Sequence, residues 1–195
     1  MEETIKYFTQ QELKKIFKAI EKTDTRYKLR DLAMFRIGYC CGLRVSEVGL
    51  LQLQHYNRAS GELYCTRLKG SWNNTIRLNK EAKKALDTHI KAYNIVGQTE
   101  RLFRSQEQNP ISRKTLDYLA KKYCAAANIE DQSKHHFHAL KHSCGVHLAD
   151  SGLDIKEVNF WLGHKNINNT MCYFRFTSKQ QERMYKKLEN CSNMV

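Results

Sequence analysis

Residues 59–78 read Ala-Ser-Gly-Glu-Leu-Tyr-Cys-Thr-Arg-Leu-Lys-Gly-Ser-Trp-Asn-Asn-Thr-Ile-Arg-Leu. Two β-prone runs, 62–68 and 75–78, are bounded by Ala59-Ser-Gly61 and by Lys69-Gly-Ser-Trp-Asn-Asn74, residue types that turn the chain. They predict a small antiparallel sheet. Hydrophobic spacing on both sides is helical, so the expected fold class is mainly α with that small sheet inserted.

Upstream, Thr9-Gln-Gln-Glu12 is a capping box, followed by Leu13, Ile16, Phe17 and Ile20 at helical spacing. A second apolar stripe runs from Leu29 through Leu32, Ala33 and Ile37 to Cys40 and Cys41, and stops at Gly42. Ser46 and Glu47 begin a short third helix carrying Val48, Leu50 and Leu51. Downstream, residues 80–94 suit a helix. After Asn109-Pro110 another stripe includes Leu116, Leu119, Ala120, Tyr123, Cys124 and Ala127. Further helical segments are expected at about 138–150, 154–163 and 166–173, with breaks at Asp150-Ser-Gly152 and Gly163. Ser178-Lys-Gln-Gln181 opens a polar C-terminal helix. There is no internal repeat and no obvious linker.

The 195 residues suffice for one large domain, and 41% hydrophobic with 27% charged residues is a globular composition. Thirty-three basic against twenty acidic residues leave a net charge of +13, which makes a polyanion, most often nucleic acid, the expected partner. No apolar run approaches the roughly 18 residues of a membrane span, and the N-terminus is acidic and polar, so neither membrane nor secretory signal is expected. A cytoplasmic protein is the resulting expectation. Seven cysteines without a Cys-x-x-Cys pair fit free thiols better than a disulfide framework or a zinc site.

Taken alone, the polar groups leave several readings open. Arg44, beside Ser46 and Glu47 at a helix start, suits an anion, but pairing with Glu47 is the simpler reading of that segment. His138 and Lys141, three residues apart, share a helix face, with His142 and His147 nearby; an imidazole and an ammonium aimed together suit phosphate chemistry. His135-His-Phe-His138 could equally be a surface cluster. There is no His-Glu-x-x-His motif and no accompanying carboxylate cluster, so no catalytic metal and no cofactor is expected. His164 follows Trp161-Leu-Gly at a helix end. Tyr173, nine residues further on, and Lys69, in a turn, would each pass for ordinary residues.

In order, however, Gly42-Leu-Arg-Val-Ser-Glu47, Leu68-Lys-Gly70, His138-Ala-Leu-Lys-His142, Leu162-Gly-His164 and Tyr173 resemble the tyrosine recombinase (phage integrase) family. Arg-Leu-Lys-Gly70, His-Ser-Cys-Gly145 and Leu-Gly-His-Lys-Asn-Ile167 look closest to the short recombinases that invert fimbrial promoter segments. The resemblance covers about residues 9–177. It implies a catalytic domain over 1–177 and a C-terminal helix or tail over 178–195, exchanged between protomers. Full-size members carry an additional N-terminal core-binding domain; here the first helix begins almost at once, as expected either of a naturally short member or of an excised catalytic domain.

By that resemblance Arg44 is the first catalytic arginine, Lys69 the lysine of the β-turn, His138 the first histidine, His164 the later one and Tyr173 the nucleophile. Lys141 stands where the family has a second arginine, keeping the charge but not the bidentate fork. The implied activity is site-specific recombination. Tyr173 attacks the scissile phosphate of double-stranded DNA, with His138 as base, Lys69 as acid and Arg44, Lys141 and His164 neutralising the phosphate oxygens. A homo-tetramer over two DNA sites is the implied assembly. Arg113 and Lys114, near the start of the 112–127 helix, are expected DNA contacts, and Met184 and Leu188 a small apolar face on the tail, for docking or for packing at home. Two other readings are a topoisomerase-like enzyme with the same cleavage chemistry, and a non-catalytic DNA-binding regulator, for which Lys141 is the best argument.

Overall fold

A computed structural model of the chain describes residues 5–174 and 178–189. Its central element is α2 (Lys28–Cys40), which buries residues on several faces, including Arg30, Asp31, Phe35, Ile37 and Gly38. Helix α1 (Gln10–Lys22) starts at the expected Thr9–Glu12 capping box and packs Leu13, Ile16, Phe17 and Ile20 inward, against α2. Gly38 permits a close crossing, since a Cβ there would meet the ring of Phe137 at 2.6 Å. The buried Asp31 pairs with Arg30 at 2.8 Å and accepts the hydroxyl of Tyr123 at 2.7 Å, so its charge is balanced.

After Gly42, α3 spans only Val45–Val48. It begins one residue before the expected start and ends before Leu50 and Leu51, because Gly49 caps it where a side chain would strike the carbonyl of Ile111 at 2.8 Å. The sheet is antiparallel with order β1 (Tyr56–Asn57), β2 (Glu62–Cys65) and β3 (Asn74–Arg77). β1 was not expected, and β2 stops short of residue 68. The amide of Arg67 bonds the side chain of Asn73 at 2.8 Å rather than a neighbouring strand, and the Arg67 side chain turns inward.

α4 (Lys80–Ala92) packs along α2, and α5 (Arg113–Ala126) against α1. α6 (His138–Asp150) joins two apolar clusters: Ala139 and Leu140 belong to the main core, Cys144, Val146 and Ala149 to a smaller one with Val158, Leu162 and Tyr173. α7 (Ile155–Leu162) ends at Gly163 in the left-handed region, φ +65°. The expected 166–173 helix is one turn, α8 (Asn168–Met171), tightened into a 3₁₀ turn at Cys172–Phe174. α9 (Ser178–Glu189) carries the polar C-terminal segment, with Met184, Tyr185 and Leu188 exposed. The expected boundary at 177 lies outside the described residues. Five of the six described cysteines, Cys40, Cys41, Cys65, Cys124 and Cys144, are buried free thiols. No helix among the described residues is long and apolar enough to cross a membrane.

Candidate active site

The site is assembled around a carboxylate. Glu47, fully buried in α3, accepts from the Arg44 amide (2.8 Å), the Arg44 guanidinium (2.8 Å), the Leu68 amide (3.0 Å) and Arg67 (3.3 Å). Burial opposes its charge, but the bonds from Leu68 and Arg44 outweigh this and hold the carboxyl below its usual range. The pairing of Arg44 with Glu47 is therefore real, and it serves to fix the guanidinium, which also donates to the Leu68 carbonyl at 3.2 Å.

Arg67 is a strut. Its nitrogens reach Asn74 (3.0 Å), the carbonyls of Gly42 (3.1 Å), Cys41 (2.9 Å) and Trp161 (3.0 Å), and Glu47. It thereby ties the end of α2, the β2–β3 turn and the end of α7 together. In the sequence Arg67 stands out only as part of Arg-Leu-Lys-Gly70, and nothing local signals its partners.

Lys69 sits on that turn, exposed, with φ +57°. It lines a cavity of about 480 Å³ together with Arg44, His136, His138 and Arg113. Arg113 is exposed in the first turn of α5, 3.5 Å from Asp117. Lys114 is exposed beside it but does not line the cavity.

Deeper in, Lys141 is 3% exposed, with its Nζ 3.5 Å from the Leu162 carbonyl. Burial, then the charges of Arg44 and Arg67, bring its pKa down to about 7. Burial also pushes His138 down to about 3, helped by His142 and Lys141, so its imidazole is neutral. The rings of His138 and His142 meet edge to face at 4.5 Å.

Tyr173 is 3% exposed, and its ring lies on the backbone of Gly145, where a Cβ would stand 2.8 Å from it. Its hydroxyl is 3.1 Å from Nδ1 of His142, not the histidine singled out as the expected base. Burial, reinforced by the Cys172 and Cys144 thiols and opposed by Arg44, raises the phenol above the ordinary tyrosine value. Burial also lowers His142, to about 4, leaving a neutral imidazole able to accept the phenolic proton. The available signal for His142 was its place one turn after His138 and next to Lys141.

His164 lies near-parallel to the Tyr173 ring, 6.4 Å between centroids. Its Nδ1 is 2.9 Å from the Thr170 hydroxyl, which is 2.9 Å from Oδ1 of Asn159; Nδ2 of Asn159 donates to the His164 carbonyl at 2.8 Å. The amide oxygen can only accept, so Thr170 donates to it and accepts from Nδ1–H. In the neutral ring, the form favoured by a pKa lowered to about 3 chiefly through burial, Nε2 is left with its lone pair. Among the described residues no group of three His, Cys, Asp or Glu is placed to share a metal ion.

The phage integrase family matches residues 6–180. The tyrosine recombinase XerC of Caldanaerobacter subterraneus subsp. tengcongensis is 32% identical over 177 residues, 89% of this chain and 48% of the relative. The tyrosine recombinase XerA of Pyrococcus furiosus is 29% identical over 195 residues, 97% of this chain and 64% of the relative. The chain thus spans about half to two thirds of the length of these relatives.

The fold is shared with the crystal structure of XerA recombinase, at a TM-score of 0.78 and 20% identity, over 93% of this chain and 62% of that one. It is shared also with the catalytic domain of bacteriophage HP1 integrase, at 0.66 and 19%, over 98% and 99%. The mainly helical architecture with its three-stranded antiparallel sheet is that of tyrosine recombinase catalytic domains. With the family matched across 6–180, the chain belongs to the phage integrase family of tyrosine recombinases.

Proposed function

We propose that this chain cleaves and rejoins DNA strands through a 3′-phosphotyrosyl intermediate, with side-chain cations meeting the phosphate charge. The observation that carries the reading is the Tyr173 hydroxyl on the neutral imidazole of His142, with the His164 ring near-parallel to its own and Arg44 near enough to favour the phenolate. Tyr173 Oη attacks phosphorus as its proton passes to His142, the bond to the 5′-oxygen breaks, and Lys69 protonates that oxygen. His138, the acceptor expected from the family pattern, edges the His142 ring at 4.5 Å and serves as the second member of that pair. The phosphodiester is conserved in the phosphotyrosine, so another 5′-hydroxyl can reverse the step. Because Tyr173 is buried, DNA meets its hydroxyl only after α8 and the following turn shift.

Arg44 and Lys141 stabilise the non-bridging oxygens as charge builds, and His164 joins them only when Nε2 takes up a proton on phosphate binding, since in the free protein that nitrogen is a lone pair. Arg113, at the cavity, and the exposed Lys114 next to it contact the duplex, and the exposed Met184, Tyr185 and Leu188 of α9 dock on a neighbouring copy in a tetramer over two sites. XerH, whose fold superposes at a TM-score of 0.79 and 18% identity over 96% of this chain and 54% of that one, has been crystallised bound to its palindromic difH substrate after cleavage. The regulator reading is disfavoured by the cations around Tyr173.

Nicked duplexes carrying trial sites test the proposal. Wild type should form covalent protein–DNA adducts on denaturing gels, and Tyr173→Phe should form none while binding DNA nearly as well. Adducts with the Phe variant would move the nucleophile elsewhere. Wild type that binds fully but never links to DNA would restore the regulator, and cleavage without exchange between duplexes would favour a topoisomerase-like enzyme.

A further inference from the structure

A second cavity, of about 490 Å³, opens between the start of α2, the end of α4 and residues 95–108. It shares no lining residue with the active-site cavity. His89, in the last turn of α4, lines it and is 2% exposed. Its Nε2 lies 2.6 Å from the Leu102 carbonyl. A carbonyl only accepts, so Nε2 carries the hydrogen. Burial keeps the ring neutral, its pKa brought down to about 4, and Nδ1 is left as a lone pair. Among the described residues that Nδ1 has no hydrogen-bond partner. Stacking on Phe103 at 5.2 Å and contact with Tyr93 at 4.8 Å hold the ring in place. The site therefore offers a buried acceptor that requires a donor from elsewhere.

Four arginines stand in the rest of the wall, among apolar residues such as Leu29 and Ile95. Arg30 and Arg104 line the cavity but are offset by Asp31 and Glu100. Arg26 and Arg101 also line it, and among the described residues neither forms an ion pair. Arg26 contacts the Tyr27 hydroxyl, and Arg101 donates one nitrogen to the Leu50 carbonyl at 2.5 Å. Two uncompensated guanidiniums suit a doubly charged anion, and their planar forks suit phosphate oxygens. The volume is that of a small-molecule site, about 300–1,000 Å³.

We propose that this cavity binds a small phosphomonoester, its phosphate against Arg26 and Arg101 and one of its hydroxyls donating to Nδ1 of His89. The same arrangement would brace residues 95–108, which lead through Ile111, bonded to the Phe103 carbonyl at 3.2 Å, into α5.

Calorimetric titration of the whole chain with ribose 5-phosphate tests this. Saturable one-to-one binding is expected, with inorganic phosphate at least tenfold weaker, since it lacks the sugar hydroxyls that would meet His89. His89→Phe keeps the stacked ring and removes the acceptor, and Arg26→Ala truncates an exposed side chain with little demand on folding. Each should weaken binding at least tenfold. Arg44→Ala, which disarms the active-site cavity, should leave the affinity unchanged. Absence of saturable binding to wild type, tight binding that survives Arg26→Ala, equal affinity for inorganic phosphate, or loss of binding in Arg44→Ala would each overturn the proposal.

Discussion

Lys141 is the position at which protonation should be visible in DNA binding. With its pKa at about 7, through burial and then the charges of Arg44 and Arg67, the free amine changes state across neutrality. The protonated fraction is about 0.9 at pH 6 and about 0.1 at pH 8. Only the ammonium favours a phosphate, so binding takes up a proton and affinity falls as pH rises. If this group alone is linked, the dissociation constant weakens about tenfold between those two pH values, some 1.4 kcal/mol. His138, His142 and His164, brought to between about 3 and 4, stay neutral in the free protein over that range.

Fluorescence anisotropy of a labelled duplex at fixed ionic strength measures the slope. Lys141→Arg, charged throughout, should flatten it, and any slope that remains belongs to histidines that protonate on binding. In single-turnover cleavage Lys141→Ala should lose about 10²–10³ in rate, the usual cost of one oxyanion donor. Identical slopes for wild type and Lys141→Arg, or equal cleavage by wild type and Lys141→Ala, would remove Lys141 from the phosphate site.

Glu47→Gln leaves the buried Arg67 without its carboxylate, so denaturant unfolding should show a loss of about 3–5 kcal/mol; a loss below about 1 kcal/mol would mean the carbonyl partners suffice. Thr170→Val strands the Nδ1–H of His164, which should cost about 1–3 kcal/mol and, by ¹⁵N NMR of the imidazole, populate the Nε2–H form; an unchanged tautomer would refute the hydrogen-bond cycle. DNA affinity should fall linearly on a log–log plot against salt, with a slope of about −0.9 per phosphate neutralised, and Arg113→Ala should make it shallower by about 0.9; an unaltered slope would take Arg113 off the duplex.

The sequence determined the features that depend on near neighbours. The Thr9–Glu12 capping box, the stripe Leu13–Ile16–Phe17–Ile20 and the turn at Gly163 are encoded within one or two helical turns, and the corresponding elements form there. Residue types and order likewise made the family legible, because Arg44, Lys69, His138, His164 and Tyr173 keep their spacing along the chain. What the order could not contain is which groups touch. Glu47 meets Arg67 twenty residues away, and Arg67 meets Trp161 ninety-four residues away.

The same limit applied to the acceptor of Tyr173. His138 and His142 lie one turn apart on α6, and either could have faced the phenol. The choice was made where the 3₁₀ turn after α8 lays the Tyr173 ring on Gly145, a position open because glycine has no Cβ. Burial, which set the low pKa of Lys141 and left Nδ1 of His89 without a donor, is a property of the packed volume around a residue. Only the tertiary structure defines that volume, because its walls come from segments far apart in the chain.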